Sequence, residues 1–84
     1  MSNRRINRHN LLLMAHATRH KFAKKLKALR EKHDLTQQEL AELADLDYKH
    51  IQRLESKNPT DVKLETLEKL AKAFKISLPK LLDF

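Results

Sequence analysis

Apolar positions along this chain recur every three or four residues and nowhere settle into strand-like alternation. Between Lys21 and His33 they fall at Phe22, Leu26 and Leu29, with Ala23 alongside, which is one face of a helix. Thr36 opens the segment TQQE, a capping-box pattern in which the threonine hydroxyl accepts the third helical N–H and Glu39 reaches back. Behind it, Leu40, Ala41, Leu43 and Ala44 predict a short second helix. Asp47 is a good N-cap for a third, Tyr48 to Glu55, with Ile51 and Leu54 on its buried side. The stretch from Ser56 to Lys63 reads as a loop, because Pro59 disfavours helix at Asn58 and lacks a backbone donor. Leu64, Leu67, Leu70, Ala71 and Phe74 then trace a fourth helical face. Ser77 caps a last short helix that tolerates Pro79 in its first turn and shows Leu78, Leu81, Leu82 and Phe84. No internal repeat stands out. The pattern predicts an all-α domain of five short helices.

Residues 1–20 are less regular. The segment SNRRINRHN has no periodicity and reads as a basic arm. Leu12, Ala15 and Arg19 nevertheless continue the three-four spacing backwards from Phe22, so the alternative is a first helix that begins near residue 10. The organisation is therefore an arm or helical extension over 1–20 and one compact domain over 21–84.

Length and composition narrow the class. With 84 residues, 40% of them hydrophobic, the chain can build one thin core, and domains of this size often gain stability by pairing. The absence of cysteine removes disulfides and thiolate metal sites, which fits a cytoplasmic setting. No apolar run approaches the roughly 18 residues of a membrane span, so a membrane partner is not expected. Charge is distributed unequally: residues 1–33 carry ten Lys/Arg against Glu31 alone, whereas residues 34–84 carry eight against ten Asp/Glu. That asymmetry either solubilises the surface or presents a basic face to a polyanion.

The junction Asp45-Leu46-Asp47 sharpens the choice. Two helices joined by three residues cross steeply, and close approach at the crossing needs a small side chain such as Ala41. The turn also needs a residue that tolerates left-handed backbone angles. In a chain with no glycine, Asp45 is a suitable type, as is Asp34 after the first helix. With Leu46 plugging the corner and Ile51 and Leu54 inward, the free side of the third helix holds Tyr48, Lys49, Gln52 and Arg53. These are long hydrogen-bonding side chains on a cylinder of major-groove width, the logic of a helix-turn-helix.

The run LKALREKHDLTQQELAELADLDYKHIQRLESKN, followed by LETLEKLAKAFKISLPKLL, resembles the phage-repressor/Cro (xenobiotic-response-element) helix-turn-helix family over about residues 21–82. Gln37 at the start of the second helix, Ala41 as the small residue, and Leu46, Ile51 and Leu54 agree in register. Asp34 and Asp45 depart from the family's usual glycines, and Asp47 from its common serine or threonine. The resemblance implies a five-helix, lambda-repressor-like fold with base-edge contacts from Tyr48, Lys49, Gln52 and Arg53. It implies phosphate contacts from Thr36 and Gln37 at a helix N-terminus, and from Lys57, Asn58 and Lys63 in the following loop. It also implies a structural ion pair between Arg30 and Glu55. Independent chemistry favours Arg53 as a reader, since guanidinium can grip guanine O6 and N7 together.

Other readings are weaker. His16 and His20 have the i,i+4 spacing of two ligands on one helix, but no third ligand is evident, so no metal or other cofactor is expected. Ser2, Ser56 and Ser77 have no recognisable His–carboxylate partner and there is no glycine-rich phosphate loop, so the chain does not read as an enzyme. Leu78, Leu81, Leu82 and Phe84 either close the monomer's core or form half of an interface. A twofold homodimer through them would set two recognition helices about 34 Å apart on one face of DNA. The leading expectation is a sequence-specific regulator of double-stranded DNA, most simply a repressor or autoregulator. The alternative is an interaction module, such as the antitoxin of a toxin–antitoxin operon or an adaptor for the transcription machinery.

Overall fold

The computed structural model describes residues 8–84, so Arg4 and Arg5 of the basic arm lie outside the described residues. Five helices are described: α1 (Arg8–Lys32), α2 (Gln37–Ala44), α3 (Tyr48–Leu54), α4 (Leu64–Phe74) and α5 (Leu78–Leu81). They enclose one core, in which Phe22 and Leu26 of α1 meet Leu40, Ala41 and Ala44 of α2 and Ile51 and Leu54 of α3. Leu67, Leu70, Ala71 and Phe74 of α4 and Leu81 of α5 close it from the other side. Burying one Leu or Ile side chain fully contributes roughly 1.5–3 kcal/mol, so these few side chains dominate the fold's stability. α2 packs on both α3 and α4, and α4 on α5. Such packing seats α3 by its inner side.

α1 is much longer than the apolar face over Lys21–His33. At 1.5 Å per residue its 25 residues span about 37 Å, within a longest molecular dimension of 48 Å. From Met14 to Thr18 every side chain is exposed, so this part of α1 projects beyond the core. Two contacts steady the helix nearer the body. Arg19 Nε donates to Asp61 Oδ1 at 2.7 Å, and Lys25 Nζ donates to the carbonyl of Asp83 at 3.1 Å. Exposed pairs of this kind are worth at most about 1 kcal/mol each.

Three corners of the fold use the same device. Asp34, Asp45 and Lys75 each adopt positive φ, at 57°, 55° and 57°. Each ends a helix by donating its N–H to the carbonyl three residues back, while the next residue's N–H donates five residues back: Leu35 to Arg30, Leu46 to Ala41 and Ile76 to Ala71. This is the Schellman arrangement, ordinarily built on glycine. The residues after the left-handed positions, Leu35, Leu46 and Ile76, pack against the core as plugs. Thr36, Asp47 and Ser77 follow them and cap the next helix through their side-chain oxygens. Asp-Leu-Thr, Asp-Leu-Asp and Lys-Ile-Ser are thus one three-residue motif used three times, a repeat that sequence reading overlooks because its chemistry and not its letters recur.

Three apolar residues stand differently from the sequence expectation. Leu43 is 60% exposed, because Leu40, Ala41 and Ala44 take the inward side and Leu43 lies about 100° round the helix from Ala44. Leu64 is 71% exposed; it shares the stripe of Leu67 but sits at the first residue of α4, beyond the edge of the core. Leu81 has no exposed surface and belongs to the monomer's core, which corrects its assignment to a dimer interface. Leu82 and Phe84 remain 39% and 47% exposed, and Leu78 is partly buried.

Candidate nucleic-acid interface

The projecting side of α3 is built from both ends. At its start, Asp47 Oδ1 accepts the N–H of Lys49 at 3.2 Å, so this carboxylate serves as the helix cap. Inward, Ile51 and Leu54 have no exposed surface. Spacing then forces Tyr48, Lys49, Gln52 and Arg53 onto the outer side, and all four are exposed. Gln52 Nε2 donates to the Tyr48 hydroxyl at 3.0 Å, one turn away, an i,i+4 contact that joins two of the outward side chains.

Behind α3 lies a brace. Arg30 Nε donates to Glu55 Oε2 at 2.8 Å, and Nη2 donates to Oε1 at 2.9 Å. Its third nitrogen, Nη1, donates to the carbonyl of Leu35 at 2.8 Å. The guanidinium pKa is raised above its ordinary value, first by the hydrogen bond to Glu55, with burial opposing. Only 13% of the Arg30 side chain and 3% of the Glu55 side chain are exposed, which keeps this pair out of reach of a ligand. Its work is to fasten α1, the α1–α2 corner and the end of α3 to one another.

The N-terminus of α2 adjoins this brace. Thr36 and Glu39 form the full capping box: the Thr36 hydroxyl oxygen accepts from Glu39 N at 3.1 Å, and Thr36 N donates to Glu39 Oε1 at 2.9 Å. These bonds hold the Glu39 carboxyl below the usual glutamate range, the backbone donor of Thr36 contributing most. The hydroxyl keeps its own proton for a further acceptor. Gln37 Nε2 donates to Glu55 Oε1 at 3.1 Å, leaving one N–H and the amide oxygen uncommitted. Gln37's share in the brace is invisible in the sequence, since the residues are 18 positions apart.

Lys57 and Asn58 are exposed in the loop after α3. Lys63 is exposed at the N-cap of α4, where its side chain makes no capping bond. The structure therefore brings Gln37, Glu55 and Arg30 together and leaves the Lys57, Asn58 and Lys63 side chains pointing to solvent. His16 and His20 meet edge-on with their Nε2 atoms 3.0 Å apart. Among the described residues there is no group of three or more His, Cys, Asp or Glu placed to hold a metal ion. No described helix is long and apolar enough to cross a membrane.

Comparison with known proteins gives two findings. A family model described as helix-turn-helix matches residues 26–81. The crystal structure of the restriction-modification controller protein C.AhdI from Aeromonas hydrophila is similar to this chain with a TM-score of 0.72 and 34% sequence identity. That similarity covers 77% of this chain and 97% of C.AhdI. A search of curated proteins returns no match.

Proposed function

As the chain belongs to the helix-turn-helix family of sequence-specific DNA-binding regulators, we propose that it reads the major groove with α3 and acts as a repressor, most simply of its own promoter. The observation that carries this reading is the division of α3 into a wholly buried side, Ile51 and Leu54, and an exposed side of four hydrogen-bonding side chains. A helix held from behind and polar in front fits the wide groove, where each base pair shows a distinct donor and acceptor pattern. Arg53 suits guanine and Gln52 suits adenine, while Lys49 donates from the first turn. Thr36 and Gln37 are assigned to one phosphate, and Lys57, Asn58 and Lys63 to the flanking backbone.

The working unit is a homodimer in this proposal. Leu82 and Phe84 offer apolar surface after α5, and a recess of about 450 Å³ is lined by Ala71 and Ile76 together with Leu78 of α5. Glu65, Glu68, Lys69 and Lys72 complete that lining, an apolar centre with a charged rim as interfaces commonly have. C.AhdI is a controller of restriction-modification, so the likeness favours a gene regulator over a toxin's partner or a transcription adaptor. A cytoplasmic location follows from that role.

The test is selection of a duplex from random sequences, followed by binding of the Gln52→Ala/Arg53→Ala variant. Affinity for the selected duplex should fall at least about tenfold while affinity for random duplex is kept, since each bidentate base contact is worth about 1–3 kcal/mol of discrimination. Equal loss on both duplexes overturns base reading by α3.

A further inference from the structure

His20, Lys24 and Lys27 follow one another at intervals of four and three, so they share one side of α1. With Ser56, Lys57 and Glu55 from the end of α3 and its loop, they line a recess of about 240 Å³. Lys24, Lys27 and Lys57 are all exposed. The lysine side chains that have hydrogen-bond partners among the described residues are Lys25 and Lys69, so the three around this recess have none. Its single carboxylate, Glu55, is 3% exposed and doubly bonded to Arg30, and presents no free negative charge. Nearby acids are few: Asp61 is engaged by Arg19, and Glu31 lies one turn beyond Lys27 as the only acidic residue of α1.

A hollow edged by three unpaired ammonium groups over a neutralised floor suits an anion with several oxygens. Lys57 stands two residues beyond Glu55, the C-cap of α3, so the hollow is continuous with the proposed reading surface. His20, Ala23 and Lys24 precede residue 26, where the helix-turn-helix match begins, so α1 supplies three of the hollow's seven lining residues from outside that unit. We propose that α1 and Lys57 form a clamp for the phosphodiester backbone of the same duplex, extending the contacted DNA past the bases assigned to α3. This inference rests on the DNA-binding reading but does not depend on which side chains read bases.

The experiment measures the salt dependence of binding by the full chain to random duplex and to its selected duplex. Each phosphate contact contributes about 0.9 to the slope of log K against log salt. The Lys24→Ala/Lys27→Ala variant, which removes two contacts from each protomer of the proposed homodimer, should therefore show a slope shallower by about 3.6 on both duplexes, with its order of sequence preference unchanged. Lys32→Ala/Lys75→Ala removes the same charge from exposed positions outside both the hollow and the proposed dimer interface, and should leave the slope nearly unchanged. An unaltered slope for the first variant overturns the clamp, and so does an equal change in the second, which would make the effect one of net charge. Loss of sequence preference in the Gln52→Ala/Arg53→Ala variant reports on α3 alone, so the two proposals fail separately.

Discussion

Arg30 of α1 holds Glu55 at the end of α3 by two parallel hydrogen bonds of 2.8 and 2.9 Å, across 25 residues of sequence. The same guanidinium caps the corner between α1 and α2 through the Leu35 carbonyl, and the same carboxylate receives Gln37 from the first turn of α2. A helix of seven residues is too short to be stable by itself. Apolar burial seats α3 on one side, and this pair fixes its far end, so its angle is set by two independent anchors.

Removing the guanidinium leaves a carboxylate 97% covered, with Gln37 as its remaining side-chain partner. Arg30→Ala is expected to cost about 3 kcal/mol, in the range for breaking a buried pair from one side. Urea denaturation measures it. Sequence preference of the folded fraction should not change, because neither charge reaches the exposed side of α3. A changed preference would show that Arg30 reads DNA itself.

The left-handed corners give a second prediction. A non-glycine residue in this conformation costs roughly 1–2 kcal/mol, less for Asp, whose short side chain bonds locally. Glycine relieves that cost but gives back about 0.4–1 kcal/mol through the freedom of the unfolded chain. Lys75→Gly should therefore stabilise by up to about 1 kcal/mol, and Asp45→Gly by less. Ala28→Gly, in the interior of α1, should destabilise by about 1 kcal/mol. Urea midpoints that rank Lys75→Gly below the wild type would sink the argument.

What could be read from the sequence followed local chemistry. The capping box at Thr36, the Asp47 and Ser77 caps and the left-handed Asp34 and Asp45 are all local patterns, and all are present. Ile51 and Leu54 were legible because spacing fixes the inner side of α3. Illegibility begins where the outcome depends on distant partners. Lys75 carries no side-chain signal for a left-handed turn, and only the helix on each side forces it there. Leu81 and Leu82 look alike in sequence, yet one is sealed in the core and the other exposed, a difference set by how α5 lands on α4. The length of α1 is half legible: Leu12, Ala15 and Arg19 carry the three-four spacing back towards residue 10, but with no core beyond Arg19 to demand it that spacing does not separate a projecting helix from an irregular arm.

Acid should loosen the start of α2 before the core is affected. The Glu39 carboxyl is held below its ordinary value of 4.5 by the Thr36 N–H. A carboxylate whose folded pKa is depressed stabilises the fold above its unfolded pKa, and that contribution disappears as pH falls through the folded value. Glu39→Gln keeps a neutral acceptor at the same position, and its capping does not titrate. The wild type should melt above this variant at neutral pH, and the gap should close as pH drops below 4.5. A gap that stays constant into acid would mean that charge at Glu39 contributes nothing.

Adjacent leucines at the C-terminus provide the sharpest separation of folding from assembly. Leu81 is wholly buried, so Leu81→Ala should cost the monomer about 2–5 kcal/mol. Leu82 is 39% exposed, so replacing it should cost the monomer clearly less than Leu81→Ala. In the proposed dimer, however, Leu82→Arg sets two like charges against an apolar patch and should shift the wild-type dimer to monomer in analytical ultracentrifugation. Specific duplex binding should weaken by more than tenfold in the same variant, because one monomer grips only one half-site. Phe84 is the less clean probe, since its ring lies 6.4 Å from Phe22 and helps to cover the monomer's core. A wild-type chain that sediments as a monomer at tens of micromolar, or a Leu82→Arg variant that still pairs, would remove the C-terminal helix from the interface and require the two reading heads to be joined elsewhere.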